Sequence, residues 1–339
     1  MDVLVIGGSV FLGRAVVAEA VAQDAHVTVF NRGKSGPTPA GATQVVGDRA
    51  NPADLAQLAG RHFDVVVDTC GFVPAEVALS ADLLADTCDH YAFVSSINAY
   101  PGWPTAADYT VGGVHEGKPD ATRDDVPDGL SEAQTYGWLK VGCERAVERA
   151  FGTERCAILR SGAIAGPHDN EDRLPWWLDR VARGGEVLVP GPPDAPVALI
   201  DARDLASFAL LGPPGTFETP GPPDRDTRAG LMAACRAATG SDATFTYVSD
   251  EDWLVAQGVR HWTELPLWIP AALGPSVFAH HSEAAEAAGL SWRPLADTVR
   301  DTWAWQREIP GGWRPAEGPL GMEAEREQAL LAAWHRRSP

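Results

Sequence analysis

Tyr136 and Lys140 stand four residues apart in the run TYGWLK (135–140). On an α-helix this spacing places both side chains on one face. A phenol has a pKa of about 10, so a cation one turn away would favour the phenolate and help it trade protons near neutral pH. The pair therefore predicts either an acid–base site or an ordinary helix surface pair. The rest of the sequence has to separate these two interpretations.

The pair lies within a predicted helix over 132–151, which begins after Ser131 with Gln134 three residues on, the pattern of a capping box. Upstream, short apolar runs rich in β-branched residues alternate with helix-like segments, as in a parallel sheet buried on both faces. Strands are predicted at 2–6, 26–30, 43–46, 64–68, 91–95 and 156–160, and further helices at 12–22, 52–59 and 75–87. This alternation favours a doubly wound α/β domain.

After about residue 160, clusters of proline and glycine break the chain into short pieces, and most of the 12 tryptophans follow. The sequence predicts a dinucleotide-binding domain over 1–160 and a smaller, irregular C-terminal substrate domain over 161–195 and 220–310. Segment 196–219 is predicted to return to the sheet, with a helix from about 203. A docking helix is predicted in the tail, 311–339, because its acids precede its bases.

Composition narrows the class of partner. A net charge of −19 on 339 residues opposes nucleic acid binding, and no apolar run approaches the roughly 20 residues that span a bilayer. The N-terminus lacks a basic stretch before its apolar run, unlike a signal peptide. The odd number of scattered cysteines predicts reduced thiols in a cytoplasmic protein; they are Cys70, Cys88, Cys143, Cys156 and Cys235. The adjacent His280 and His281 make a poor metal pair, so no metal site is predicted.

The run VIGGSVFLGRAVV (5–17) follows the first predicted strand and opens the first helix. Gly7 permits a tight turn, the amides of Ser9 and of Val10, Phe11 and Leu12 face outward, and Gly13 allows the helix to pack against the strand. Together they predict a pyrophosphate site at a helix N-terminus, as in a Rossmann-type dinucleotide-binding unit.

The segment GGSVFLGR resembles the glycine motif of the extended and atypical short-chain dehydrogenase/reductases, a group also called the NAD-dependent epimerase/dehydratase family. Val10 replaces the usual middle glycine of G-x-x-G-x-x-G. TYGWLK matches the family's Y-x-x-x-K pair. FVSSINAY (93–100) is similar to its S-S-x-x-x-Y segment, which selects Ser96 as the catalytic serine and Ser95 as a neighbour on the cofactor side. The order and separations of these three motifs favour the acid–base interpretation of Tyr136.

The resemblance implies a role for each catalytic residue. Ser96 would hydrogen-bond the substrate oxygen and stabilise charge developing there. Lys140 would hold the nicotinamide ribose hydroxyls. Tyr136 would give or take the proton while hydride passes between nicotinamide C4 and the carbon that carries the oxygen.

Cofactor preference is predicted from NRGK (31–34), at the end of the second strand. An NAD-selective enzyme typically has an acidic residue there. Asn31 is neutral, and Arg32 and Lys34 suit a 2′-phosphate, so NADP(H) is favoured, with NAD(H) still possible and a solvated turn as the alternative.

The resemblance also implies further cofactor contacts. Asp48 and Arg49 would lie near the adenine, and TCG (Thr69, Cys70 and Gly71) under the adenosine ribose and pyrophosphate. Ser161, Ala163 and Ile164 would close over the nicotinamide.

The segment LRSGAIAGPHDNEDRLPWW (159–177) resembles the family's R-P-G-x-x-x-G-P-x-D segment. Many nucleotide-sugar members have an asparagine where this chain has Ala163, which weakens a nucleotide-sugar assignment. Candidate substrate residues are Tyr100, His168 and Arg173, and Asp169 and Asp172 crowd the same loop. Asp201, Arg203 and Asp204 are expected to form structural ion pairs and caps.

Three functions stay open at this point. The first is an oxidoreductase that acts on a carbonyl or alcohol of a small, ring-containing or apolar molecule. The second is a sugar or polyol epimerase or dehydratase that retains its cofactor. The third is a non-enzymatic dinucleotide sensor, which the presence of both Tyr136 and Lys140 disfavours. By family analogy a homodimer would form through helices 75–87 and 132–151.

Overall fold

The computed structural model describes residues 1–222, 225–279, 281–314 and 320–337. Its strands are β1 Asp2–Ile6, β2 His26–Asn31, β3 Ala42–Val46, β4 Phe63–Asp68, β5 Cys88–Ser96, β6 Cys156–Ser161, β7 Ile164–Ala165, β8 Glu186–Pro190, β9 Pro196–Val197, β10 Ile200–Asp201, β11 Gly215–Thr219, β12 Asp226–Thr227 and β13 Thr244–Val248. Its α-helices are α1 Phe11–Ala22, α2 Pro52–Leu55, α3 Pro74–Leu84, α4 Glu132–Phe151, α5 Arg173–Ala182, α6 Ala202–Leu211, α7 Arg228–Thr239, α8 Glu251–Ala256, α9 Glu283–Ala287, α10 Leu295–Glu308 and α11 Ala324–Arg337.

Seven strands form the central sheet in the order β11-β6-β5-β4-β1-β2-β3. Every pair in it is parallel. The strand order reverses between β1 and β4, and in doubly wound sheets ligands bind outside the carboxyl ends of the strands at such a point. The predicted doubly wound fold is confirmed, and its topology places a crevice where β1 and β4 end.

Helices cover both faces of the sheet. Valines and alanines at alternate positions of β1, β4 and β5 pack against α1 and α6, whereas the intervening side chains, including Tyr91 and Phe93, pack toward α3 and α4. Strands buried on both faces carry near-continuous apolar runs, which explains why these strands were recognisable in the sequence. Helix α4 begins and ends where the sequence predicts, with the capping box of Ser131 and Gln134 in place.

Two predicted helices differ from the observed ones. Segment 52–59 forms the one-turn α2 followed by a 3-10 turn, Ala56–Leu58. Helix α3 ends at Leu84 rather than at residue 87. Of segment 196–219, which is predicted to return to the sheet, Gly215–Thr219 does so as the edge strand β11. Strands β9 and β10 instead pair with β12 and β7 in small two-stranded sheets.

A separate apolar core holds the C-terminal domain together. It contains Trp177 and Trp268, both fully buried, and side chains from α5, α7, α10 and α11. Strands β8 and β13 pair in parallel within it. The indole of Trp177 donates to the carbonyl of Pro266 at 2.8 Å, so this tryptophan is a core residue whose polar atom is satisfied.

Within the described part of the chain, no helix has the length and apolar character needed to cross a membrane.

Candidate active site at the carboxyl end of the sheet

The glycine-rich loop between β1 and α1 has the shape of an anion cradle. Gly7 and Gly8 have φ angles of 115° and 79°, which favour glycine. A Cβ on Gly13 would lie 2.5 Å from the backbone nitrogen of Gly8, so only glycine lets the helix approach the loop this closely. Helix α1 begins after Val10 without a side-chain cap. Its first amides are therefore available to a pyrophosphate, and the loop fits a dinucleotide.

Asn31 lies at the end of β2, beside this loop, and all of its hydrogen-bonding capacity is used. Its amide nitrogen donates to the carbonyl of Gly7 at 2.8 Å and to Ser9 Oγ at 2.6 Å. Its amide oxygen accepts from the nitrogen of Gly33 and from Gln44 Nε2, both at 2.8 Å. Asn31 therefore braces the glycine loop, and no acceptor is left on it for a ribose diol.

Basic side chains surround this corner of the crevice. Arg32 and Lys34 are exposed. Arg14 is half-buried and reaches the carbonyl of Pro37 at 3.4 Å, while its Nε has no hydrogen-bond partner. Among the residues described, none of these three cations forms an ion pair. In a chain with a net charge of −19, this is an unusual local excess of uncompensated positive charge.

Lys140 lies beneath the crevice with only 3% of its surface exposed. Its ammonium donates to the carbonyl of Gly71, in the segment after β4, at 2.9 Å and to the carbonyl of Val94, near the carboxyl end of β5, at 2.6 Å. It also lies 4.4 Å from the ring centroid of Phe93. An ammonium has three N–H donors, so one remains for a ligand. No described carboxylate pairs with Lys140, so its positive charge stays uncompensated in the crevice.

Tyr136 stands one turn before Lys140 on α4, with 37% of its surface exposed. Its hydroxyl has no hydrogen-bond partner among the described residues and is open to a ligand. Gly137, the next residue, lets the helix approach the turn after β5, because a Cβ there would overlap the carbonyl oxygen of Asn98. Ser96 ends β5 and caps that turn, exchanging hydrogen bonds with Asn98 at 3.1 and 3.2 Å. The fold thus brings the segments of Tyr136 and Ser96 together.

Ser95 faces away from this corner, into a buried polar network. Its hydroxyl donates to Glu144 Oε1 at 2.5 Å. Arg160 pairs with Glu144 at 2.7 Å and donates to the hydroxyl of Tyr100 at 3.0 Å. Burial, followed by the hydrogen bond with Glu218, raises the pKa of Tyr100 to about 12, so its phenol stays protonated at neutral pH.

Glu144 and Arg160 are site residues that the sequence interpretation missed. A signal was present for Glu144, because it follows Lys140 by four residues and so continues the face that carries Tyr136. In the sheet register, Ser95 lies opposite Arg160. That contact is set by strand pairing and is invisible in a linear motif. The network fixes α4 to the ends of β5 and β6.

Arg49 and Asp48, predicted near the adenine, occupy different environments. Asp48 is half-buried and accepts from the nitrogen of Ala50 at 3.0 Å. Arg49 is buried, and its guanidinium donates to both oxygens of Asp68, at 2.9 and 2.8 Å, and to Ser80 Oγ at 2.6 Å. The side chain of Arg49 is therefore used within the protein interior.

The predicted TCG segment follows β4. Thr69 Oγ1 donates to the carbonyl of Ile6 at 3.1 Å and so ties the ends of β4 and β1 together. The nitrogen of Cys70 donates to Asp68 at 3.1 Å. Burial raises the pKa of the Cys70 thiol to about 11, so it is not a thiolate at neutral pH. Phe72 follows the TCG segment and is 46% exposed. Its ring centroid lies 5.4 Å from the Lys140 ammonium, a contact that the sequence interpretation missed.

Ser161, Ala163 and Ile164 lie at the end of β6 and in β7. Ser161 is buried and shares a hydrogen bond with Thr219 at 2.9 Å. Ala163 is also buried, and its carbonyl accepts from the nitrogen of Ile200 at 3.1 Å. Ile164 is half-buried. These contacts join the end of the sheet to the C-terminal domain.

The loop after β7 holds His168 and Asp169, and Arg173 begins the helix α5 that follows it. The ring of His168 lies 5.3 Å from that of Trp305, and burial, followed by the nearby Arg14, lowers its pKa. Arg173 is less free, since it pairs with Glu171 at 2.8 Å and stacks over Trp262. Asp169 is buried, one of its oxygens has no partner, and burial raises its pKa to about 7.

The predicted structural acids are in ion pairs. Asp201 caps α6 and pairs with Arg203 at 2.8 Å, and Asp204 pairs with Arg293 at 2.7 Å. His280 lies outside the described residues. The side chains of His62, Asp64 and Asp89 lie within 4.8 Å of one another, but they are at the amino ends of β4 and β5, at the edge of the sheet opposite the crevice.

Known proteins share this sequence pattern and fold. A 28% identical relative, dTDP-6-deoxy-L-talose 4-dehydrogenase (NAD(P)(+)) from Kitasatospora kifunensis, aligns over 91% of this chain and 96% of its own length. The Bordetella bronchiseptica enzyme WbmH, solved in complex with NAD+, has a TM-score of 0.63 at 16% identity, covering 91% of this chain and 98% of its own. UDP-glucose 4-epimerase of Thermotoga maritima, solved with UDP-glucose, has a TM-score of 0.63 at 18% identity, covering 91% and 99%.

The sequence profile of the NAD dependent epimerase/dehydratase family matches residues 3–211, well over half of the chain. This match covers the glycine loop, the serine segment and the tyrosine–lysine helix whose positions are described above. The resemblance predicted from those three motifs is confirmed: the chain belongs to the NAD-dependent epimerase/dehydratase family.

Proposed function

We propose that the protein is an NADP(H)-preferring oxidoreductase that transfers hydride between the nicotinamide and a carbonyl or alcohol carbon of a small molecule. Tyr136 is its acid–base residue. The observation that carries the proposal is the placement of Lys140, a buried cation one turn from an exposed phenol, with no carboxylate partner in the described part of the chain. An uncompensated positive charge there favours negative charge on the tyrosine oxygen, as proton exchange with a substrate requires.

The chain's own residues have distinct tasks in this reaction. The glycine loop and the N-terminus of α1 bind the pyrophosphate, and the bound nicotinamide supplies or accepts the hydride. Lys140 uses its remaining N–H toward the ribose or the tyrosine. Tyr136 gives a proton to the substrate oxygen during reduction and takes it back during oxidation. Ser96 turns its hydroxyl from Asn98 to the same oxygen and stabilises its developing charge.

The first test removes the phenolic proton. In Tyr136→Phe the rate of NADPH oxidation with a panel of aldehydes and ketones is expected to fall at least about 100-fold, because one positioned acid–base group contributes about that much. Dinucleotide binding, measured by fluorescence titration, should change less than about threefold. Tyr247→Phe, at a half-buried tyrosine of the C-terminal domain, is the matched control. Full turnover in Tyr136→Phe would rule out this role for Tyr136.

Two observations support the preference for NADP(H): the side-chain amide of Asn31 is saturated with hydrogen bonds, and Arg14, Arg32 and Lys34 form no ion pair with a described residue. A 2′-phosphate would supply the negative charge that this corner lacks, whereas a free 2′-hydroxyl would find no carboxylate at the position of Asn31.

The test of cofactor choice compares binding, so it needs no known substrate. In Arg32→Ala/Lys34→Ala the Kd for NADPH should rise by about 10- to 100-fold, as expected for the loss of two charge-assisted contacts. The Kd for NADH should stay within about twofold. Arg123→Ala, at an exposed arginine, is the control. An equal loss of affinity for both dinucleotides would contradict the assignment of these residues to the 2′-phosphate.

An epimerase or dehydratase with retained cofactor is the second candidate, favoured by the fold it shares with UDP-glucose 4-epimerase over 91% of the chain. Native mass spectrometry of the purified protein separates the two: a retained dinucleotide favours the epimerase, and an empty site favours the reductase. The alanine at position 163 still argues against a nucleotide sugar as its substrate.

A further inference from the structure

Three arginines are more than nine-tenths buried: Arg49, Arg180 and Arg228. Burying a guanidinium removes it from water, which is costly unless a carboxylate compensates the charge. Arg49 pairs with Asp68 at 2.8 Å, and Arg180 pairs with Glu327 at 2.5 Å. Among the described residues, none provides such a partner for Arg228.

The few groups around Arg228 do not satisfy it. Its side chain makes one long hydrogen bond, from Nη1 to the carbonyl of Leu267 at 3.3 Å. Its Nε has no partner, as is also true of Arg49, but Arg49 has a carboxylate opposite its Nη atoms and Arg228 has none among the described residues. Glu251 is close enough to act on it electrostatically but is used elsewhere. The two oxygens of Glu251 accept from the indole of Trp268 and from the nitrogen of Ala271, each at 2.8 Å.

Arg228 also occupies a position that suits an anion. It is the first residue of α7, which lies in sequence between the parallel strands β8 and β13. A Cβ on Gly191, directly after β8, would lie 4.0 Å from Arg228 Nε and 2.9 Å from Glu251 Oε1. Arg228 therefore lies at the carboxyl ends of this strand pair and at a helix N-terminus, where ligands with negative charge bind in parallel α/β units.

The backbone amides of this helix start cannot provide the site themselves. The nitrogens of Arg228 and Ala229 donate to the carbonyls of Ala195 and Pro193, at 2.9 and 2.8 Å. The nitrogen of Gly230 donates to the capping hydroxyl of Thr227 at 3.1 Å. An anion here would be held by the guanidinium, with the helix dipole adding a favourable field.

We propose that Arg228 is the centre of an anion-binding site in the C-terminal domain, and that this site takes a phosphate or carboxylate group. The ligand supplies the negative charge that no described residue places opposite this buried arginine. The group belongs either to the substrate or to a separate anion, and both present the same pair of oxygens to the guanidinium fork. This site is independent of the acid–base chemistry assigned to Tyr136.

The experiment measures thermal stability with NADPH present at saturation, so that the glycine loop is already occupied. Wild-type protein, Arg228→Met and the control Arg236→Met, at an exposed arginine of the same helix, are compared in phosphate, citrate and chloride at equal ionic strength. At an anion concentration about 100 times its Kd, the melting temperature of the wild type and the control should rise by about 3 to 4 °C. Arg228→Met should show no such rise, and without phosphate or citrate it should melt at or above the wild-type temperature.

Phosphate and citrate are then compared by the rise in melting temperature that each one gives. The anion with the larger rise shows whether the site takes a phosphate or a carboxylate group. Once a substrate is known, competitive inhibition by that anion assigns the group to the substrate, and non-competitive inhibition assigns it to a separate ligand. The proposal is overturned if Arg228→Met retains the anion effect, if no anion stabilises the wild type, or if Arg228→Met fails to fold or melts well below it. If Arg228→Met fails to fold or melts well below the wild type, the guanidinium serves the fold itself.

Discussion

The two domains treat buried charge differently. In the N-terminal domain, which contains the seven-stranded sheet, the buried Arg49 and Asp68 face each other, and Ser80 and Tyr91 add hydrogen bonds at 2.6 and 2.9 Å. In the C-terminal domain, Arg228 and Asp169 are also buried, but neither forms an ion pair with a described residue. In the first arrangement the two charges compensate each other, although Arg49 Nε has no hydrogen-bond partner. In the second, no described residue of opposite charge pairs with either group.

The pKa values show the same difference. Burial alone would raise the pKa of Asp68 and lower that of Arg49, but the mutual attraction reverses both: Asp68 is held below its ordinary value and Arg49 well above. At Arg228 burial prevails and lowers the pKa to about 10, and at Asp169 it raises the pKa to about 7. Removing one partner of a compensated buried pair is costly because it strands a charge, and an uncompensated buried charge marks a place where a fold gives up stability.

The largest effect is expected from breaking the compensated pair. Arg49→Met leaves Asp68 buried beside Tyr91 with no cation, and should lower the free energy of unfolding by about 3 to 5 kcal/mol. Urea unfolding followed by circular dichroism measures this, with the exposed Arg123→Met as the control. Adding Asp68→Asn to Arg49→Met should recover part of the loss, because the stranded charge is removed. A loss no larger than that of the control would remove the distinction between the two domains.

The sequence predicts those features of the structure that depend on residues close together in the chain. Helix α4 could be predicted to its bounds because the capping pair Ser131 and Gln134 and the terminal Gly152 are local features. The glycine loop was equally readable, since its conformation depends on residues that adjoin one another. The short segments 52–59 and 196–201 were harder, because a few residues with mixed propensity take their structure from the neighbours they pack against.

The contacts at the site were less predictable than its motifs. Arg49 adjoins a predicted cofactor residue in sequence, but its guanidinium is directed to Asp68, 19 residues further along the chain. The role of Arg228 is harder still to predict, because it depends on the lack of a carboxylate partner among the described residues. Glu251, 23 residues away in sequence, already accepts hydrogen bonds from Trp268 and Ala271, and no linear pattern shows this. A side chain's type is local information, and its compensation is a property of the folded state.

A smaller effect, with a distinct pH signature, is expected at Asp169. Its folded pKa, about 7, lies above the value near 4 of an unfolded aspartate, so between these two values the folded state binds the extra proton. Stability attributable to this group is therefore present at pH 4 and is lost as the pH rises through 7. In Asp169→Asn the side chain cannot ionise, so this loss of stability at high pH disappears. The substitution leaves a buried amide with imperfect hydrogen-bond partners, which is a smaller cost. We expect it to raise the free energy of unfolding by roughly 1 to 3 kcal/mol at pH 8 and to have little effect at pH 4.5.

Chemical denaturation at both pH values measures this difference, with the exposed Asp194→Asn of the same domain as the control. If Asp169→Asn is destabilising to the same extent at pH 4.5 and pH 8, the carboxylate has a partner in solution that compensates its charge, and Asp169 belongs with Asp68. If the pH signature appears and NADPH or a substrate abolishes it, the ligand compensates the charge of the Asp169 carboxylate. Arg14 lies on α1, after the glycine loop, and acts electrostatically on His168, which adjoins Asp169. It would then link the cofactor site to this loop.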